Sequence, residues 1–123
     1  MKTLYLFVVL TAASLSAQQL PLTNANLVGK YEFLDIQDDT KKPDDIKERK
    51  ALMEGMAIVL NADGTCVTSF IMDLDGKWTL DAAKKIITVV DRKENIWYIH
   101  SLTKEQAILS RNQTDFKIIF ARK

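Results

Sequence analysis

Short stretches rich in β-branched and aromatic residues, separated by turn residues about every 10 positions, constrain the fold of this chain most strongly. Met56–Leu60 and Thr65–Met72 are separated by Asn61–Gly64, whose Asn, Asp and Gly residues are typical of tight turns. Asp73–Gly76 has the same turn chemistry and is predicted to separate Thr65–Met72 from Lys77–Leu80. This pattern indicates an all-β sandwich or barrel.

Eight such stretches follow one another with short connections, which favours an antiparallel up-and-down arrangement. A sheet of this kind protects its edge strands best by closing on itself, so we predict an eight-stranded antiparallel barrel. Such a barrel is either filled by side chains or holds one small ligand. The predicted strands are Gly29–Ile36, Met56–Leu60, Thr65–Met72, Lys77–Leu80, Lys85–Val90, Ile96–Leu102, Gln106–Arg111 and Phe116–Arg122.

A long charged segment lies between the first two predicted strands. Pro43, the acidic pair Asp44 and Asp45, and Glu48 three residues after Asp45 are typical of a helix start with a capping box. We therefore expect a short helix over Ile46–Glu54; a charged, mobile loop is the alternative. At this position the segment could also be a lid over the barrel mouth.

The first 17 residues predict a secretory signal peptide. Lys2 is followed by the apolar run Leu4–Ala13 and by the small residues before the expected cleavage site after Ala17. That run is well short of the roughly 20 residues that span a bilayer, and no later segment is long and apolar enough. We expect a single mature domain, residues 18–123, in the periplasm or outside the cell.

Charge argues against nucleic acid as a partner. The chain has 17 basic and 16 acidic residues, and removal of Lys2 with the signal peptide leaves 16 of each. A net charge near zero provides no basic surface for phosphate groups and no general attraction to an anionic membrane.

The chemistry-bearing residues do not form a recognisable catalytic or metal-binding set. Cys66 and His100 are the only cysteine and histidine, and no glycine-rich elbow or oxyanion arrangement accompanies either residue. The two Asp-rich turns resemble the start of a calcium loop, but Phe70 and Ala82 occupy the positions where that loop needs a bidentate Glu. We predict no enzyme activity, no metal and no cofactor.

Several motifs occur in order along the mature domain: Leu27–Tyr31 (LVGKY), Asn61–Thr65 (NADGT), Gly76–Leu80 (GKWTL) with Lys85–Ile87 (KII), and Trp97–Ile99 (WYI) running into Leu102–Glu105 (LTKE). In this order they resemble the small lipocalin-like domains of exported bacterial proteins, over nearly all of residues 18–123. The resemblance implies a calycin-type barrel with a small apolar molecule bound inside. It further implies that Tyr31 replaces the lipocalin tryptophan, that Arg122 lies near its ring, and that residues 37–55 match the lid loop.

Aromatic residues on the predicted strands are the candidate ligand contacts, although the pattern alone favours the alternative that they fill the barrel as ordinary core. The inward parity of Ile96–Leu102 is open: if Trp97 and Ile99 point inward, Ile96 and Tyr98 form an apolar outer stripe that suggests a partner surface. The candidates are Tyr31, Phe33, Phe70, Trp78, Trp97 and Phe120.

These observations lead to two functional hypotheses. The first is an exported, non-enzymatic protein that holds a small hydrophobic molecule in its barrel. The alternative is a protein-interaction or inhibitor module with a packed core, which would act through an apolar outer face or through residues 37–55.

Overall fold

The computed structural model of the chain describes residues 18–38, 43–112, 114 and 116–123. The predicted signal peptide, residues 1–17, lies outside the described residues. The described part contains two helices and eight strands, and the expected all-β class and strand number are confirmed. In chain order they are α1 (Asn24–Leu27), β1 (Gly29–Gln37), α2 (Pro43–Met53), β2 (Ala57–Leu60), β3 (Thr65–Phe70), β4 (Met72–Asp81), β5 (Ile86–Val90), β6 (Glu94–Leu102), β7 (Gln106–Arg111) and β8 (Lys117–Arg122).

The strands form a closed barrel in sequence order, and each strand is antiparallel to the next. Closure comes from pairing between β1 and β8, with Tyr31 opposite Arg122 and Ile36 opposite Ile118. The register shifts between Phe33 and Asp35, and this bulge keeps both Phe33 and Ile36 on the inner face. Alternate residues of each strand therefore point inward, as the period-two pattern predicts.

The inward parity of β6 is settled by burial. Trp97 and Ile99 are buried in the core, whereas Tyr98 between them is 41% exposed on the outer face. Ile96 is half-buried. The outer apolar stripe that this parity implies is therefore present on β6, and Ile86 of β5 lies directly opposite Tyr98.

We call the end of the barrel that carries α1 and the turns at residues 61–64, 82–85 and 103–105 the closed end. Leu27 of α1 is fully buried there, and the Tyr31 hydroxyl donates a 2.5 Å hydrogen bond to the Leu27 carbonyl oxygen. The Arg122 guanidinium lies 5.3 Å from the Tyr31 ring centroid and donates to the carbonyl oxygens of Asn26, at 2.6 Å, and Thr103, at 2.7 Å. The contact that the resemblance implied between Tyr31 and Arg122 is thus present, and it seals this end.

Helix α1 was not expected, because it lies in the polar stretch before the first predicted strand. Thr23 caps it by accepting a hydrogen bond from the Asn26 backbone N–H. A four-residue helix has no hydrophobic periodicity to reveal it. Its place in the fold comes from Leu27, which is buried only once the barrel has closed around it.

The opposite end of the barrel, which we call the open end, carries α2, the β3–β4 hairpin tip and the connections after β5 and β7. The short helix expected between the first two strands is confirmed, although it begins at Pro43, three residues earlier than predicted. Asp44 and Asp45 therefore lie in its first turn, where carboxylates interact favourably with the helix dipole. Gly55 follows the helix with a φ of 88°, as expected of a glycine that ends a helix.

The turn predicted at Asp73–Gly76 is wrong. These residues lie within β4, where Asp73 pairs with Ser69 and Asp75 pairs with Val67 of β3. The chain instead reverses at Ile71, between the paired residues Phe70 and Met72. Ile71 has a φ of 72°, which a β-branched residue rarely adopts, so the local sequence gave no turn signal there.

Gly76 consequently has a role that differs from that of a turn glycine. A Cβ added at this position would lie 2.5 Å from the Val90 carbonyl oxygen of the neighbouring strand. Gly76 therefore allows β4 to approach β5 more closely than any other residue would permit.

We predict that Gly76→Ala destabilises the barrel by about 1–3 kcal/mol, because the added methyl group must push β4 and β5 apart. Urea unfolding followed by circular dichroism measures this change. The control is Thr79→Ala, an exposed position on the same strand, for which we expect a change of at most about 0.5 kcal/mol. Equal stability of the Gly76→Ala variant and the wild type would contradict the close approach.

Candidate functional site

A cavity of about 500 Å³ lies inside the open end of the barrel and is partly open to solvent. Small-molecule sites in proteins usually have volumes of about 300–1,000 Å³. Most of the cavity wall is apolar, and its apolar side chains come from α2, from several strands and from the β7–β8 connection. They include Met53, Phe70, Leu74, Val89, Phe116 and Ile118.

The strand register explains why these side chains share one space. Leu74 of β4 is directly opposite Thr68 of β3, and both point inward. Phe70 follows two residues after Thr68 on the same face, at the rim of the barrel and 39% exposed. The cavity wall is therefore made of the last inward-facing residues of each strand before the chain turns.

Aromatic packing forms the floor of the cavity and fills the barrel below it. The Phe120 ring is fully buried and meets the rings of Trp97 and Tyr31 edge-on, with centroid distances of 6.0 and 6.5 Å. The void next to Tyr31 and Trp97 on the closed side measures only about 10 Å³, the size that holds about one water molecule. Inside the barrel, an organic ligand thus has room at the open end and none at the closed end.

The six aromatic candidates separate into two groups. Phe70 and Trp97 line the cavity. The other four belong to the core or pack against it: Tyr31, Trp78 and Phe120 are buried, and half-buried Phe33 packs against them. The Trp78 indole N–H donates to the Asn61 carbonyl oxygen at 2.9 Å, which ties this residue to the β2–β3 turn. Ligand contact by any of the six stays a prediction.

Polar groups occupy one side of the cavity. Arg111 lies directly opposite Trp97 in the β6–β7 register and points inward with it. Its guanidinium donates a 2.5 Å hydrogen bond to Asn95 Oδ1 and lies 5.6 Å from the Trp97 ring centroid. Asp91, Arg92 and Lys93 contribute charges from the connection between β5 and β6.

Sequence reasoning missed Arg111, Asn95 and Leu74. Leu74 was hidden by the turn predicted around it. Arg111 had a usable signal, because it continues the alternation of Ala107 and Leu109, both of which are buried. An arginine at an inward position of a predicted strand was the clue to a polar group inside the barrel.

Helix α2 lies beside the open end and contributes Met53 to the cavity wall. None of its described residues is buried, so it is held mainly by charged contacts. Lys50 Nζ lies 2.6 Å from Asp35 Oδ1, and Arg49 Nη1 lies 3.5 Å from Asp38 Oδ2. The Arg49 guanidinium also stacks over the Phe116 ring, 4.4 Å from its centroid. The hydrogen bond from Lys50, supported by the backbone N–H of Ile36, lowers the pKa of Asp35.

Cys66 and His100 are in different parts of the barrel. Cys66 of β3 is buried, and burial, together with the carboxylates of Asp91 and Asp75, raises the pKa of its thiol. His100 is exposed on β6, and its Nε2 lies 2.7 Å from Ser110 Oγ. Partial desolvation and the positive charge of Lys117 lower the pKa of His100. Because Cys66 is buried in the core whereas His100 is exposed and contacts Ser110, the fold does not join these two side chains into a nucleophile–base pair.

Within residues 18–38, 43–112, 114 and 116–123, no group of three or more His, Cys, Asp or Glu side chains is placed to hold a metal ion. Asp63, part of one calcium-like turn, instead accepts hydrogen bonds from the backbone N–H and hydroxyl of Thr65. Neither helix in these same residues has the length and apolar character needed to cross a bilayer.

No family model and no curated protein matches this chain. Among solved structures, the chain is similar to a DUF4847 family protein from Bacteroides vulgatus ATCC 8482, with 15% identity and a TM-score of 0.55. The likeness covers 76% of this chain and 91% of that one. At this level of identity the likeness supports the barrel fold alone.

We predict that Cys66 reacts with 5,5′-dithiobis(2-nitrobenzoate) at least about tenfold more slowly in the native protein than in urea, because its thiol is buried and protonated. Absorbance of the released thiolate measures the rate. The matched control is the double variant Thr65→Cys/Cys66→Ser, which moves the thiol to the exposed neighbouring position. Rapid reaction of native Cys66 would show that the barrel wall is open at β3.

We also predict that Lys50→Met raises the pKa of Asp35 towards its ordinary value, whereas Lys47→Met, on an exposed position of α2, leaves it unchanged. Because the pKa of Asp35 is lowered in the folded protein, the contribution of this contact to folding stability is complete above the unfolded pKa of about 3.9. It is lost as pH falls through the folded value. Carboxyl ¹³C shifts of Asp35 during a pH titration measure this effect, and identical titrations in wild type and Lys50→Met would contradict it.

Proposed function

We propose that this protein is an exported, non-enzymatic binding protein of the lipocalin-like type, which holds a small apolar molecule in the open end of its barrel. The observation that carries the proposal is the cavity of about 500 Å³ with mostly apolar walls. Export to the periplasm or beyond is part of the proposal and is supported by the signal-like pattern of residues 1–17.

Burial of apolar surface supplies the binding energy in this proposal. A ligand portion as large as an aromatic side chain buries about 150–250 Å². At about 25 cal/mol per Å² this corresponds to about 4–6 kcal/mol before the cost of association is subtracted. A ligand with several rings or a long chain is therefore needed for micromolar affinity, which corresponds to about 8 kcal/mol.

A second candidate function is binding of a protein partner through the β3–β4 hairpin tip. Phe70, Ile71 and Met72 form an apolar tip, with Ile71 fully exposed and Met72 53% exposed. Exposed apolar groups of this kind are typical of interaction sites. Phe70 belongs to both the tip and the cavity wall, so a partner at the tip would also cover part of the cavity mouth.

Titration with the neutral fluorescent probe N-phenyl-1-naphthylamine tests the proposal, since its emission rises in apolar surroundings. We predict saturable binding to the wild type and at least about tenfold weaker binding to Leu74→Trp, whose larger side chain occupies the cavity. Thr79→Trp adds the same ring on the outer face of the same strand and is expected to bind like the wild type.

Circular dichroism and urea unfolding of both tryptophan variants establish that each remains folded. Absence of saturable binding to the wild type, or equal binding by Leu74→Trp and Thr79→Trp, would contradict the proposed ligand cavity. In that case capture of a protein partner dependent on Ile71 would favour the hairpin-tip alternative.

A further inference from the structure

The cavity has one feature that a purely apolar ligand would leave unused, namely the guanidinium of Arg111 on its wall. Arg111 is half-buried, and it points inward because its register partner Trp97 does. Removing an arginine from water is costly unless an anion or several acceptors replace the water. The contacts around Arg111 therefore indicate what the cavity is suited to bind.

Protein groups use only a small part of the hydrogen-bonding capacity of the Arg111 guanidinium. A guanidinium has five N–H donors. Within the described part of the chain, Asn95 Oδ1 accepts its single protein hydrogen bond, and no carboxylate forms an ion pair with it. The Trp97 ring contributes a cation–π contact at 5.6 Å. The remaining donors are left for solvent or a ligand.

Asn95 extends the same donor surface. Its side-chain oxygen already accepts the Arg111 hydrogen bond, so the free part of the amide is its NH₂ group. Together, Arg111 and Asn95 present mainly N–H donors to the cavity. A hydroxyl or an amide ligand can use part of such a surface, whereas a carboxylate, which only accepts, can use all of it.

The charges of the cavity wall agree with this polarity. The lining residues include three cationic side chains, Arg92, Lys93 and Arg111, and one carboxylate, Asp91. Among the described residues Asp91 forms no ion pair with Arg111, and its Oδ1 accepts the backbone N–H of Lys93 within its own connection, at 3.3 Å. The electrostatic potential in the cavity therefore favours an anion.

The rest of the wall restricts what can carry that anion. Met53, Leu74, Val89 and Ile118 surround the space with aliphatic groups, and a single guanidinium with one neighbouring amide matches one carboxylate. The apolar surroundings favour a singly charged carboxylate over a doubly charged phosphate, because removing a second charge from water costs additional free energy in an apolar space.

We propose that the ligand is an apolar carboxylic acid, with its carboxylate hydrogen-bonded to Arg111 and the Asn95 amide and its apolar body against the aliphatic wall. This inference rests on the proposed function and adds the chemical class of the ligand. Arg111 selects the headgroup of the ligand, and the apolar wall provides the part of the affinity that does not depend on the headgroup.

Competition experiments separate the claim that the cavity binds apolar molecules from the claim that it prefers a carboxylate. Decanoate and decan-1-ol have the same chain length and differ in the headgroup, and each is used to displace N-phenyl-1-naphthylamine from the wild type at neutral pH. Charge-assisted hydrogen bonds lead us to expect that decanoate displaces the probe at a concentration about 10- to 100-fold lower than decan-1-ol.

Two variants test the role of Arg111 directly. In Arg111→Met we expect the preference for decanoate to fall to about twofold or less, while the displacement by decan-1-ol stays within about threefold of the wild type. Lys77→Met removes one positive charge from an exposed position of β4 outside the cavity lining and is expected to keep the preference.

Each outcome decides between the claims. Equal displacement by decanoate and decan-1-ol in the wild type, or a decanoate preference that survives in Arg111→Met, would overturn the carboxylate inference and leave the apolar cavity standing. If neither compound nor the probe binds the wild type, both claims are overturned. Should Arg111→Met fail to fold, Asn95→Leu takes its place, and an unchanged decanoate preference there would overturn the inference.

Discussion

Hydrogen bonding between β1 and β8 converts a linear series of hairpins into a cylinder, and every inward-facing side chain depends on that closure for its surroundings. Without it the sheet would leave two unpaired edges and an uncovered apolar face. With it, the inner residues of eight strands meet across one narrow space. The bulge between Phe33 and Asp35 is part of the same constraint, since it keeps the apolar side chains of β1 inside on both sides of the irregularity.

The interior of this cylinder is used in two ways. At the closed end, Leu27 and the edge-on rings of Tyr31, Phe120 and Trp97 fill the space, and Arg122 ties α1 to the β6–β7 turn through backbone carbonyls. At the open end, the last inward-facing side chains of the strands, which include Thr68, Leu74 and Val89, line a cavity instead of filling the space. The closed half of the barrel is thus packed, whereas the open half contains the cavity. Helix α2 lies beside that cavity, is held by charged contacts such as Lys50 with Asp35, and has no buried residue among those that the structure describes.

Local pattern was sufficient to predict most of the architecture, because alternation and turn chemistry act over a few residues. It predicted eight strands and a helix between the first two. The position of Arg122 near Tyr31 was implied by the family resemblance and not by local pattern. Local pattern failed at Ile71, where tertiary pairing of β3 with β4 imposes a left-handed conformation that no local signal encodes. Local pattern also could not distinguish Trp97 and Phe70, which line the cavity, from Phe120, which is part of the core. Alternation shows which side chains point inward but not how near each of them lies to the closed end of the barrel. Arg111 was accessible to the same alternation rule, but only a closed barrel reveals that it faces a cavity.

Intermolecular nuclear Overhauser effects between isotope-labelled protein and bound N-phenyl-1-naphthylamine would test most directly whether the open half of the barrel is the binding space. The account predicts cross-peaks from the probe to the side chains of Leu74 and Trp97, and none to the rings of Tyr31 and Phe120 beneath them. Cross-peaks confined to Ile71 and the outer face around Tyr98, or to the closed end, would contradict it.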